Sequence, residues 1–181
     1  MKAITYAHRR QLIFEVSLIS GFVVLMILSA YVRIPLFFTP VPITIQTFAV
    51  YLSMVFLRKK SVFSQGIYLL LGTVGLPVFS NFGSGIIYLL GPTGGYILGF
   101  FIAAIIFSRL LPKEKNFFRN FLFFVSVASF IYAFGIFWLI FLHQFTLSAA
   151  LTAGLFPFVA GEFFKIGIAS FIALRQRADV R

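Results

Sequence analysis

Glu162 and Lys165 stand three residues apart in one of the chain's last apolar stretches, the one ionised pair well inside segments apolar enough to cross a membrane. Residues three apart share a helix face. A charge at the centre of hydrocarbon costs roughly 3 kcal/mol or more unless it faces a cavity or a partner, so intramembrane ionisable residues mark ligand, ion or proton paths. A proton relay would need a second intramembrane carboxylate to supply the next step, and none does. A pocket for a small polar molecule fits better. The plainer alternative is a salt bridge that only orients its helix, although apolar residues would serve stability better. His8 and His143 lack a second histidine or carboxylate at ligand spacing, so no metal site is expected. No phosphate-binding Gly-x-x-x-x-Gly-Lys loop occurs and no cofactor is implied, so any active transport must draw its energy from a partner.

The elements that hold the pair follow from composition. Of 181 residues 61% are hydrophobic, 27 are Phe and only 10% are charged, too little polar surface for the exterior of a soluble domain. A single membrane domain over 1–181 is expected, embedded in a lipid bilayer. Without cysteine there is no disulfide framework or thiolate site to argue from. Apolar runs lie at about 12–32, 43–57, 62–76, 92–111, 117–142 and 158–174, several near the roughly 20 residues that span hydrocarbon, the second and third short. Thirteen of the 15 basic residues fall on alternate connections: Lys2, Arg9 and Arg10; Arg58, Lys59 and Lys60; Arg109, Lys113, Lys115 and Arg119; Arg175, Arg177 and Arg181. The positive-inside rule assigns those connections to the cytoplasm. The expected fold is all-α, six transmembrane helices in a compact bundle with both termini cytoplasmic. The net charge of +11 is thereby explained by topology rather than nucleic-acid binding. The first run is too long for a signal-peptide core and is expected to remain in the mature protein.

The outer connections are nearly uncharged and rich in Pro, Gly, Thr, Gln and Asn. Segment 33–46, from Arg33 to Gln46, has three prolines in eight residues, which forbid a regular helix and leave a stiff cap or a plain interfacial hairpin. Segment 72–85 alternates apolar residues with glycines, and Asn81 there is either a hydrogen-bonding group at a pocket mouth or an ordinary turn residue. Gly91-Pro92-Thr93-Gly94-Gly95-Tyr96 opens the fourth helix, and Gly91, Gly95 and Gly99 line one face, for close helix packing or close ligand approach. Pro157 divides a short surface helix at 147–156 from a final span that carries Glu162 and Lys165. Trp138 reads as an interface anchor more than a ligand wall, and Tyr132 shares its helix.

Ile34-Pro35, Thr39-Pro40-Val41-Pro42-Ile43-Thr44-Ile45-Gln46-Thr47, Tyr68-Leu69-Leu70-Leu71-Gly72, Gly75-Leu76-Pro77-Val78-Phe79, Leu90-Gly91-Pro92-Thr93-Gly94-Gly95-Tyr96 and Pro157-Phe158 before an acid-x-x-Lys follow in fixed order. Together they resemble the BioY family, the substrate-binding S components of energy-coupling factor (ECF) biotin transporters, from the end of the first helix to the end of the sixth. The resemblance implies an ECF S-component-like bundle in a bacterial-type cytoplasmic membrane, with an outward pocket closed by the first outer loop. Biotin's ureido ring would meet polar residues and its valerate tail apolar walls. The implied pocket members are Gln46, Asn81, Gly91, Thr93, Tyr96, Glu162 and Lys165. Glu162 would accept a ureido N–H, and Lys165 would serve either the head group or the ligand carboxylate. The implied partners are an ECF transmembrane coupling subunit and two ATP-binding cassette ATPases.

The family usually has Asp where this chain has Glu162, and a methylene can move an acceptor by more than about an ångström along a C–C bond. The helix-one Ala-x-x-x-Ala docking face is here Ser17-x-x-x-Gly21, still small enough for close helix approach. Other classes remain open. An S component could carry another vitamin, a membrane enzyme could use Glu162 as base, and a regulatory subunit could use the seam only for packing.

Overall fold

The computed structural model describes residues 2–114 and 116–176. Lys115, Arg177 and Arg181, counted above among the basic clusters, lie outside them, as do the side chains of Lys2 and His8. The helices are α1 (Lys2–Tyr31), α2 (Gln46–Leu57), α3 (Ser61–Thr73), α4 (Gly85–Leu90), α5 (Gly94–Phe107), α6 (Phe117–His143), α7 (Leu147–Gly154) and α8 (Val159–Gln176). A two-residue antiparallel ladder, β1 (Arg33–Ile34) with β2 (Ile43–Thr44), pinches the base of the first loop.

Six of these helices match the six apolar runs, and the fold is the expected bundle. By length and composition Arg9–Tyr31, Phe117–His143 and Leu147–Gln176 suffice to cross a membrane. The helices α2, α3 and α5 have 12, 13 and 14 residues, or about 18–21 Å at 1.5 Å per residue. Irregular backbone replaces their missing turns at one end of the bundle, a solution open at membrane depth only where protein or a cavity covers it.

The two ends differ in charge. At the basic end a single 3-10 turn, Arg58–Lys60, joins α2 to α3, and Lys60 pairs with Glu15 of α1. The α5–α6 connection is at the same end, where Arg119 pairs with Glu114. There α6 starts on Asn116, whose side chain accepts from the Arg119 amide at 3.1 Å and satisfies one of the helix's orphan donors. At the opposite, loop end lie the 33–44 hairpin, segment 74–93 and α7, which Thr146 caps by accepting from the Ala149 amide.

Three details differ from a reading of the apolar runs as helices. The first helix begins at Lys2 rather than near 12, because its polar first turns are helical before the apolar run starts. The fourth span ends at Phe107, short of 111, with Pro112 disfavouring helical backbone just before it. The short helix α4 was not foreseen: six residues of the second loop form it between Ser84 and Gly91, both extended.

Tyr51, Phe124, Met26, Met54, Ile131 and Leu139 are fully buried between the helices, while Phe14, Leu28, Phe63, Phe141 and Phe164 are exposed. A bundle with apolar residues both inside and around its waist is one that lipid, not water, solvates.

Candidate functional site

A cavity opens at the loop end among the first turns of α2, α5 and α8. Gln46, Thr47, Thr93, Tyr96, Tyr132 and Lys165 supply its main polar groups, and Val41, Ile97, Phe100 and Phe158 its apolar wall. Its volume is about 50 Å3, well below the roughly 300–1,000 Å3 of sites for drug-sized ligands. Any guest larger than a few waters therefore has to push a wall outward. The hairpin is one such wall, since Val41, Pro42 and Thr44 line the cavity. Its Thr39 hydroxyl, which donates to the Ala153 carbonyl at 2.7 Å, ties it to α7.

The acid–base pair anchors the floor. Lys165 Nζ lies 2.8 Å from Glu162 Oε2, and Glu162 is 5% exposed. The carboxylate is heavily solvated by hydroxyls: Tyr51 donates to Oε1 at 2.5 Å, and Thr47 and Tyr132 donate to Oε2 at 3.0 and 2.9 Å. Lys165 donates also to the Thr47 hydroxyl at 2.8 Å and to the Thr44 carbonyl at 3.1 Å. An ammonium has three N–H groups, so all three donors of Lys165 are engaged. Such a cluster offsets the cost of buried charge because nearly every lone pair and proton has a partner.

Four of the expected pocket members come together in the cavity wall: Gln46, Thr93, Tyr96 and Lys165. Glu162 sits directly behind that wall, bonded to Thr47, Tyr132 and Lys165, and borders a lateral crevice between α6 and α8. Asn81 and Gly91 line a separate outer cleft with Arg33. Asn81 has left-handed backbone (φ 59°), and its side chain accepts from Arg33 Nη2 at 2.7 Å. Tyr96 donates to the Gly154 carbonyl at 2.8 Å, and Gln46 Nε2 donates to Tyr68 Oη at 2.7 Å. Trp138 donates to the Gly91 carbonyl at 3.2 Å and His143 bonds the Leu90 carbonyl, so both clamp the turn before α5. Among the described residues no group of side chains could hold a metal ion. Ser17 and Gly21 are exposed on α1, and nothing lies within 4 Å of where a Gly21 Cβ would be.

Sequence reasoning missed Tyr51 and gave Thr47 and Tyr132 no site role. Thr47 and Tyr51 are four apart and so share the face of α2 that meets α8, a pattern the apolar run conceals. Removing the Tyr51 hydroxyl in Tyr51→Phe strips Oε1 of its described donor. Thermal unfolding in detergent should then show a loss of about 2 kcal/mol, the scale of a hydrogen bond to a buried charge. An unchanged midpoint would mean that the bond is not formed.

Comparisons with known proteins place the family and the fold. The BioY family model matches residues 4–181. The biotin transporter BioY of Thermotoga maritima is 40% identical over 157 residues, 86% of this chain and 91% of that protein. A probable biotin transporter BioY of Pyrococcus horikoshii is 38% identical over 166 residues, 91% and 97% of the two chains. In three dimensions the chain superposes with a TM-score of 0.86, at 25% identity and 94% coverage of both chains, on a crystal structure of the S component for biotin from an ECF-type ABC transporter. The named relatives are transporters rather than enzymes, and nothing among them supports Glu162 as a catalytic base. With its family model matched almost end to end, its relatives aligned over most of both lengths and its bundle that of an S component, the chain is a multi-pass membrane protein that belongs to the BioY family.

Proposed function

We propose that this chain is a biotin-binding S component, acting as one domain over 1–181, that takes up biotin across a bacterial-type cytoplasmic membrane. The observation that carries the reading is the buried Glu162–Lys165 cluster set against a cavity at the loop end of the bundle. The basic end, with both termini, faces the cytoplasm by the positive-inside rule, so the cavity faces out. Biotin enters past the 33–44 hairpin, which closes over it.

Within this reading Gln46, Thr93, Tyr96 and Lys165 contact the ligand in the cavity, and Asn81 and Gly91 shape its outer approach. The Thr44 carbonyl is the most distant of Lys165's three acceptors. Exchanging it for the ureido oxygen keeps the ammonium fully bonded. Glu162 is the acceptor for a ureido N–H, which it reaches only when the Thr47, Tyr132 and Lys165 side chains in front of it move aside on ligand entry. The rings of Phe100, Tyr132 and Phe158 give the tail an apolar lining.

Transport requires a coupling subunit driven by two ATP-binding cassette ATPases, and the small, open Ser17–Gly21 face of α1 is where that subunit packs. Cells that depend on external biotin and express the chain with a coupling module should accumulate labelled biotin. Gly21→Leu should cut that uptake severalfold while the purified variant binds biotin as the wild type does. Equal uptake by both would remove α1 from the docking account, and no biotin uptake by the wild type would overturn the transport assignment.

A further inference from the structure

Beyond the cavity lies an outer cleft lined by Arg33, Pro42, Ser80, Asn81, Tyr88 and Thr93. Four of these residues, Pro42, Ser80, Tyr88 and Thr93, also line the cavity, so the two spaces meet along one shared wall. At the junction the Ser80 hydroxyl is buried, 4% exposed, and has no hydrogen-bond partner among the described residues. Buried polar atoms are nearly always paired, and an orphan on the wall shared by two adjoining spaces points to a guest.

At the far end of the cleft is Arg33. Its Nη2 donates to Asn81 Oδ1, and among the described residues it forms a salt bridge with no carboxylate. A guanidinium has five N–H donors in a planar fork matched to a carboxylate, and four of them have no bond described. Lys165, the other cation of this end, has given all three of its donors to Thr44, Thr47 and Glu162.

We propose that this cleft is the carboxylate subsite: Arg33, held by Asn81, pairs with the carboxylate of the ligand tail, Ser80 bonds the ligand where it passes from cavity to cleft, and Lys165 serves only the head group. The inference rests on the biotin reading and deepens it. It also assigns the two roles that the sequence left open for Lys165. The chain recognises its ligand at two ends with two cations, the buried one already neutralised by Glu162 and the exposed one available for an anion.

The test compares biotin with biotinol, its neutral alcohol, on purified wild type, Arg33→Gln, Arg33→Lys and Ser80→Ala. Arg33 is exposed, so its variants keep the bundle intact. Arg33→Gln is expected to weaken biotin by about three- to tenfold, as for a partly screened charge-assisted pair, and to leave biotinol unchanged. Arg33→Lys should recover part of the loss, and Ser80→Ala should weaken both ligands alike. If wild type binds biotin but Arg33→Gln weakens both ligands equally, or neither, the carboxylate subsite is wrong and the biotin reading stands. If folded wild type binds neither biotin nor biotinol, the biotin reading fails and this inference fails with it.

Discussion

Glu162→Ala should abolish measurable biotin binding and also lower the stability of the empty protein by about 3–5 kcal/mol, the usual cost of leaving a buried charge without its partner. The expectation follows from how the carboxylate is used. It is the common acceptor of Tyr51, Thr47, Tyr132 and Lys165, so its loss frees two tyrosine hydroxyls, a threonine hydroxyl and an ammonium in a largely buried region. Lys165→Met leaves the carboxylate with three hydroxyl donors and should cost less stability, yet still remove most binding. The double variant separates the two effects. Because the charges are coupled, it should be more stable than the sum of the single losses requires, while binding stays absent. Thermal midpoints in detergent, read beside titrations, distinguish these outcomes, and strict additivity of the two stability losses would show that the pair does not act as a unit.

Gly135→Ala should be nearly as damaging, although Gly135 bears no polar group. A Cβ there would lie 2.3 Å from the Tyr96 ring, and that ring cannot retreat. Its hydroxyl is fixed to the Gly154 carbonyl, and Gly154 is itself so close that a Cβ on it would stand 2.3 Å from the same oxygen. Tyr96 is thus clamped between α6 and the end of α7 while its ring lines the cavity. Forcing a methyl into that seam should cost about 3 kcal/mol and weaken biotin by roughly tenfold or more through displacement of the wall, at about 1.4 kcal/mol per decade. Gly21→Ala is the control, since open space surrounds it. Both variants are read by melting temperature and titration, and a Gly135→Ala protein as stable and as avid as wild type would mean that the seam yields.

The same seam settles what the glycines that open α5 are for. A Cβ on Gly95 would meet Trp138 at 2.2 Å and one on Gly99 would touch Ile131 of α6 at 3.5 Å, so these two serve helix packing. Gly91, the first of the row, instead borders the outer cleft. Under the proposed function Gly91 would serve ligand approach rather than packing, a division that nothing in the spacing alone makes.

Legibility followed locality. Glu162 and Lys165 were readable because a charge in an apolar run is anomalous wherever it occurs. The two outer connections were readable because proline and glycine restrict backbone within a few residues. The surface helix before Pro157 was readable for the same reason, and it spans Leu147–Gly154. Tyr51 was not, because a tyrosine inside an apolar helix looks like core until α8 is packed against α2. Nor was the placement of Glu162 behind Thr47, Tyr132 and Lys165 rather than among them, which depends on the rotation of one helix about its axis. Arg33 was visible as a basic residue on the uncharged side, but its bond to Asn81 joins residues 48 apart in the chain. Trp138 stands near the end where an interface anchor would sit, yet its indole N–H bonds a turn carbonyl that only the folded chain brings to it.

The most direct test of the central claim is titration of biotin into the full chain purified in detergent, with desthiobiotin, thiamine and riboflavin as comparisons. The account predicts tight one-to-one binding of biotin, weaker or no binding of thiamine and riboflavin, and loss of the signal in a folded Lys165→Ala variant. Absence of biotin binding by folded wild type, or undiminished binding by Lys165→Ala, would contradict it.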